Sequence, residues 1–219
     1  MARGVFITFE GPEGSGKSTQ ARRLAERLQA AGREVVRTRE PGGTPTGEAI
    51  RNLVQHDSAG EPICREAEVL LFAASRAQLV RAVILPALER GACVVSDRFA
   101  DSTAAYQGYG RGLDLEAIRR INALAIGPAA PDLTFLLDIE VRLGLDRLAE
   151  RGRNGAGGRD RIEREDLAFH ERVRRGYLDL AAREPARWRV LSTAGEADAV
   201  HEAIWEETQA LLRRRGGGG

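Results

Sequence analysis

Apolar residues recur along this chain with two different periods, and the places where the period changes outline an alternation of strands and helices. Residues 5–9, Val-Phe-Ile-Thr-Phe, form a short run that predicts a buried strand. From Lys17 onward, Ala21, Leu24, Ala25 and Leu28 recur at helical spacing until Gly32 ends the run. Residues 34–38 predict a second strand. Pro41-Gly-Gly43 marks a turn, and Thr46 is placed to cap a helix running through Val54. A long helix is expected over residues 65–90, broken or kinked near Pro86. A third strand follows at 93–97, a helix at 115–126, a fourth strand at 133–137 and a helix at 141–150. Residues 151–161 are a loop rich in glycine and arginine, after which helix resumes over 164–183. A short fifth strand at 189–192 and an amphipathic helix at 197–214 complete the pattern.

Strands alternating with helices argue for an α/β fold whose parallel sheet is covered on both faces. No repeat or linker interrupts the alternation, so residues 1–215 are expected to form one domain. Residues 151–161 would be its mobile flap, and the glycines at 216–219 a flexible tail.

Composition narrows the function. The 219 residues, 42% hydrophobic, suffice for a full core. No apolar run approaches the ~20 residues that cross a bilayer, so no membrane is expected. Met1-Ala-Arg-Gly4 leads directly into the first strand, which points to a cytoplasmic protein without a signal peptide. With 33 basic and 32 acidic residues the net charge is +1, which provides no overall field for nucleic acid or a membrane surface. Cys64 and Cys93 stand at no metal-ligand spacing and are expected as buried or half-buried free thiols.

The basic residues are all arginines except one, Lys17. That exception falls within Gly11-Pro-Glu-Gly-Ser-Gly-Lys-Ser18, a full match to the phosphate-loop pattern, placed after an apolar strand and at the opening of a helix. Its glycines allow successive N–H groups to point inward at phosphate oxygens, and the helix N-terminus adds partial positive charge. A compact ammonium at Lys17 suits a point-charge role on the outer phosphates of ATP that a planar guanidinium cannot copy. Ser18 is the expected magnesium ligand. Asp97, ending an apolar strand, suits the second acidic position, holding a magnesium-bound water.

The single lysine also separates classes of phosphate-loop protein. A guanine-reading Asn-Lys-x-Asp motif needs a second lysine, and so does the loop of partitioning ATPases. Arg39, Arg76 and Arg98, near strand ends or on the long helix, suit an acceptor that is itself a phosphate. Such an acceptor is largely ionised at neutral pH and needs no strong general base. Another phosphate-loop kinase, acting on a small phosphorylated or hydroxylated metabolite, fits these residues as well.

Several segments in order carry a closer resemblance: Phe9-Glu-Gly-Pro-Glu-Gly-Ser-Gly-Lys-Ser-Thr19, Thr38-Arg-Glu-Pro-Gly-Gly43, Leu71-Phe-Ala-Ala-Ser-Arg76, Asp97-Arg-Phe99, Ser102-Thr-Ala-Ala-Tyr-Gln-Gly108 and Pro131-Asp-Leu-Thr-Phe-Leu-Leu-Asp138. From Phe6 to about Trp205 the chain resembles the bacterial thymidylate kinases, nucleoside monophosphate kinases that phosphorylate dTMP with ATP. The resemblance implies a five-stranded parallel sheet flanked by helices, a mobile lid and a homodimer.

It also implies roles. Residues Gly11, Pro12, Glu13, Gly14, Ser15, Gly16, Lys17, Ser18 and Thr19 would bind ATP, with Mg²⁺ at Ser18 and Asp97. Phe72 would stack on the thymine ring, which Arg76, Thr103 and Gln107 would face. Tyr106 would crowd the sugar C2′, favouring deoxyribose, and Glu13 would approach the 3′-hydroxyl. Arg39 and Arg98 would grip the acceptor phosphate. Ordinary core packing is the alternative for Phe72 and Tyr106. One style of the family carries a catalytic arginine in the phosphate loop; the other has glycine there and supplies arginines from the lid. Gly14, with Arg151, Arg153, Arg159 and Arg161 in the flap, resembles the second, and Arg159 and Arg161 are the expected catalytic pair. Two departures stand out. The flap segment Arg153-Asn-Gly-Ala-Gly-Gly158 is long and glycine-rich, and Phe99 stands where some members have tyrosine or histidine.

Overall fold

The computed structural model describes residues 3–56, 60–153 and 160–216. Five parallel strands form one sheet in the order β2-β3-β1-β4-β5. They are β1 (Phe6–Glu10), β2 (Val35–Arg39), β3 (Cys93–Asp97), β4 (Leu133–Asp138) and β5 (Trp188–Ser192). β1 lies at the centre, with Phe9 opposite Asp97 of β3 on one side and Phe135 of β4 on the other. A chain that starts in mid-sheet and builds outward both ways leaves a crevice at the C-terminal ends of β1 and β3, where ligands bind in open α/β sheets.

Side chains alternate across the sheet. Ile7 and Phe9 enter one core with Leu24 and Leu28 of α1 (Lys17–Ala30) and Ile204 of α9 (Ala197–Gly216). Phe6 and Val94 enter the other, with Leu79, Ile84 and Phe99. Thr8 and Thr134, both fully buried, satisfy each other across β1 and β4 at 2.8 Å.

The helices refine the expected pattern. α2 (Pro45–His56) is capped by Thr44, whose hydroxyl accepts from the Gly47 N–H at 3.0 Å, rather than by Thr46. Pro45 then takes the first helical position, where a missing N–H costs nothing. No break occurs at Pro86. The helix runs as α3 (Arg65–Leu79), a π-helical turn (Val80–Ile84) and α4 (Leu85–Glu89). The π-helical turn stands just upstream of Pro86, where its ring removes a helical hydrogen bond. At 25 residues, Arg65–Glu89 is long and apolar enough to cross a bilayer by length and composition alone, which corrects the expectation that no run approaches that length. Its inward face nonetheless carries Glu68, Ser75 and Arg76, buried and hydrogen-bonded within the fold, which marks it as a core helix.

One helix is new. Residues 100–110 form α5 (Ala100–Thr103) and a second π-helical turn (Ala104–Gly110). Its glycines are there for close packing. A Cβ on Gly108 would meet Leu115 of α6 (Leu115–Ile126) at 2.4 Å, and one on Gly110 would meet Phe169 of α8 (Leu167–Arg183) at 2.7 Å. Cys93 is buried in β3, whereas Cys64 is exposed just ahead of α3, correcting its expected burial.

Helix α7 (Val141–Arg153) packs against the phosphate loop through two glycines. A Cβ on Gly14 would fall 2.1 Å from the Gly144 carbonyl, and one on Gly144 would fall 2.3 Å from the Glu13 carbonyl. Alanine in a helix is favoured over glycine by roughly 1 kcal/mol, but overpacking against rigid backbone costs about 1–3 kcal/mol. Gly144→Ala is therefore expected to lower the urea midpoint despite its better helix propensity. An unchanged or raised midpoint would mean that α7 yields freely at this contact.

Candidate active site

The loop Gly11–Ser18 turns from β1 into α1 on three left-handed glycines, with φ of 141° at Gly11, 70° at Gly14 and 87° at Gly16. Lys17 folds back beneath the loop, its Nζ donating to the Pro12 carbonyl at 2.6 Å and to Ser15 Oγ at 3.2 Å. Burial and the nearby Arg98 charge push its pKa down to about 8, against the pull of Glu13, Asp97 and Glu10.

Arg98 follows β3 in a left-handed conformation, φ 68°, the one positive-φ residue other than glycine among the described residues. Three bonds impose it. The Arg98 N–H donates to Phe9 O at 2.9 Å, Ser96 Oγ donates to Arg98 O at 2.7 Å, and the Phe99 N–H donates to Glu10 Oε1 at 2.8 Å. The guanidinium then points into the crevice. It ion-pairs with Glu13 and donates to the hydroxyls of Tyr106 at 3.2 Å and Tyr177 at 3.3 Å. Burial works against ionised Glu13, but Arg98 and Lys17 hold its pKa down to about 2. Glu10, beneath this layer, accepts from Ser102 and Tyr177; burial and the charge of Asp101 raise it to about 7.

A cavity of about 370 Å³ opens here, within the range of small-ligand sites. The phosphate loop contributes Glu13, Gly14, Gly16, Lys17, Ser18 and Thr19 to its wall, and β3 and the following turn contribute Asp97 and Arg98. Phe72, Arg76, Thr103, Tyr106 and Gln107 line the same cavity, as does Arg39. Gly11, Pro12 and Ser15 back the loop instead of lining it.

Arg76 is only 1% exposed, yet it is an arginine. Its Nε donates to Glu40 at 2.8 Å, Nη1 to Asn122 at 2.7 Å and Nη2 to Thr103 Oγ1 at 2.8 Å. Burial raises Glu40 to about 7 even against the Arg76 charge. Arg39 is exposed and ion-paired with Glu48 at 2.7 Å.

The expected lid is divided. Arg159 and most of the glycine-rich stretch lie outside the described residues. The other end of the segment is held by polar contacts. Asp160 accepts from the Ile162 and Glu163 N–H groups and from Gln55, and Arg161 is bound to the Val54 carbonyl and to Glu68. Arg161 is thereby drawn toward Gln107, another Glu68 partner.

Residues that the sequence did not single out also converge. Arg51, Arg147 and Glu40 line the cavity, and Glu10 and Tyr177 support it. Glu40 sat beside Arg39 inside a quoted segment, so its signal was present. Tyr177 had only the apolar periodicity of α8, which conceals its hydroxyl.

The buried ammonium implies a stability cost. Lys17 titrates near 8 when folded and near 10.5 when unfolded. Between those values the unfolded chain binds the extra proton, so this group's penalty is full below pH 8 and disappears as pH rises toward 10.5. Lys17→Met is expected to stabilise the ligand-free protein by about 1–3 kcal/mol at pH 7. Urea unfolding at pH 7 and pH 10 measures this, and a gain that does not shrink at the higher pH would refute it.

Comparison with known proteins agrees with this geometry. The family model described as thymidylate kinase matches residues 9–204. A thymidylate kinase of Deinococcus radiodurans is 52% identical over 206 residues, covering 94% of this chain and 96% of its own. One from Syntrophotalea carbinolica is 49% identical over 213 residues, covering 97% and 98%. The crystal structure of thymidylate kinase from Ehrlichia chaffeensis superposes with a TM-score of 0.75 at 36% identity, covering 94% of this chain and 99% of that one. With the phosphate loop, the five-stranded parallel sheet and near full-length similarity in agreement, the chain belongs to the thymidylate kinase family of nucleoside monophosphate kinases.

Proposed function

We propose that the chain transfers the γ-phosphoryl group of ATP to dTMP, giving dTDP. The observation that carries this reading is one cavity joining the phosphate loop to Phe72 and the buried Arg76–Thr103 pair. A planar apolar ring beside fixed donors suits a nucleobase, and a loop of inward N–H groups suits a triphosphate.

Residues 11–19 would cradle the ATP phosphates, with Lys17 leaving Pro12 and Ser15 to meet the outer oxygens. Ser18 and Asp97 line one cavity, and a hydroxyl with one carboxylate suits Mg²⁺, which keeps waters and takes other ligands from phosphates. Among the described residues no group of three or more His, Cys, Asp and Glu side chains forms an all-protein metal cage. When bound, the ion would neutralise charge between the outer phosphates.

Arg98 and Arg39 would grip the acceptor phosphate, and Arg51, on the same wall, would join them. Phe72 would stack on thymine while Arg76, Thr103 and Gln107 read its edge. The Tyr106 ring would crowd C2′, its hydroxyl fixed on Glu13 at 2.6 Å, and Glu13 would face the 3′-hydroxyl. The acceptor phosphate attacks as an anion, so positioning and charge neutralisation do most of the work. Arg159 and Arg161 would reach the transferring group on lid closure, Arg161 by exchanging Glu68 for phosphate.

Residues 1–215 would act as one kinase domain in the cytoplasm, without nucleic acid or membrane partners, and as a homodimer. The packed helices α3 and α6 expose Leu70 (57%) and Leu124 (80%), apolar surface that a second copy would cover. Light scattering is expected to give twice the chain mass, and Leu124→Glu to shift it toward the single chain. A wild-type monomer would refute the dimer.

The activity is tested with a panel of nucleoside monophosphates in a coupled assay. dTMP should be phosphorylated best, and Lys17→Met should lower kcat on the order of 10³-fold with the fold intact. AMP or CMP as best acceptor would overturn the substrate, and near-normal turnover in the variant would overturn the role of the loop.

A further inference from the structure

Glu68 is buried on α3 beside the cavity, and apart from releasing Arg161 it enters no step above. It is 1% exposed, and its carboxylate is fully engaged. The amide nitrogen of Gln107 donates to Oε1 at 2.7 Å, Arg111 Nε reaches the same oxygen at 3.4 Å, and the Arg161 guanidinium takes Oε2. Burial works to raise the Glu68 pKa. Hydrogen bonds from Gln107 and Arg161, with the charges of Arg111 and Arg161, outweigh it and keep the group ionised, below the usual carboxylate range.

An ionised carboxylate only accepts hydrogen bonds. The Gln107 amide therefore has one orientation available, nitrogen on Glu68 and oxygen turned away. Gln107 lines the cavity with Phe72, Arg76 and Thr103, so an acceptor is presented there. Pyrimidines differ at this point. Thymine and uracil carry an N–H at ring position 3, whereas cytosine carries a bare acceptor nitrogen. An oxygen aimed at position 3 pairs with the first two and opposes the third.

We propose that Glu68 is a positioning residue for acceptor selection, pinning the Gln107 nitrogen so that its oxygen reads the ring N–H and excludes cytosine. The inference rests on the nucleotide reading above. Glu68→Gln tests it with almost no change of shape. While the lid is open and the acceptor is being selected, Arg161 holds an oxygen at the Oε2 position, so the new amide nitrogen takes the Oε1 position facing Gln107 and the long 3.4 Å contact from Arg111 is given up. Gln107 then turns its own oxygen toward residue 68 and its nitrogen toward the cavity.

The measurement is the ratio of kcat/KM for dTMP to that for dCMP in wild type, Glu68→Gln, Gln107→Ala and the double variant. The ratio should fall on the order of tenfold in Glu68→Gln, the scale of one exchanged hydrogen bond. It should fall no further when Glu68→Gln is added to Gln107→Ala. An unchanged ratio, an equal loss on both acceptors, or the same fall without Gln107 would overturn the inference and leave the substrate intact. A wild type that does not prefer dTMP over dCMP would overturn the substrate reading beneath it. If Glu68→Gln fails to fold, hydrogen exchange in wild type labelled with ¹⁵N-glutamine decides. Gln107 amide protons protected without nucleotide support the inference, and protons protected only when dTMP is added overturn it.

Discussion

The ion pair between Arg98 and Glu13, roofed by two tyrosine hydroxyls, fixes how the ends of β1 and β3 meet. Both side chains are half-buried, so removing one partner leaves the charge of the other poorly compensated. The left-handed backbone of Arg98, which costs only about 1–2 kcal/mol, is held by the three hydrogen bonds at the strand ends, and the ion pair then fixes where its guanidinium points. The pair also ties four parts of the chain together: the phosphate loop, the turn after β3, the second π-helical turn through Tyr106, and α8 through Tyr177. A change in any one of them reaches the others through this guanidinium.

Charge beneath the surface follows the same logic. Glu13 stays ionised because two cations face it, whereas burial lifts Glu10 and Glu40 to about 7. For those two, the folded form holds a proton that the unfolded chain has already lost. Their contribution to stability is complete below the ordinary carboxylate value of 4.5 and is lost as pH rises through 7. Lys17 adds a cost of the opposite charge. The ligand-free site is thus held together against its own electrostatics, and a polyanion entering beside Lys17 relieves part of that opposition.

Much of this was legible in the chain. Gly11–Ser18 announced itself because a strand, a glycine-rich turn and a helix start occurred in the required order. The five strands were visible because β1, β3 and β4 are nearly continuous apolar runs. What escaped notice depended on contacts distant in sequence. Gly108 and Gly110 look like turn residues, yet they sit in a helix because Leu115 and Phe169 press against them. The position of Arg161 could not be read from its loop, since its partner Glu68 lies 93 residues away on α3. The Thr44 cap is the local exception: its contact is only three residues away, but Thr46 offers the same side chain on the other side of Pro45.

The contact between Gly14 and Gly144 has a bearing on how such loops change over generations. With the Gly144 carbonyl 2.1 Å from where a Cβ would stand, no side chain enters the loop at Gly14 unless α7 first retreats. An arginine at this point is therefore not reached from this loop by a single substitution that leaves α7 in place. A side chain at position 14 and α7 at its present distance exclude each other, so the helix packed behind the loop decides which residues the loop can carry.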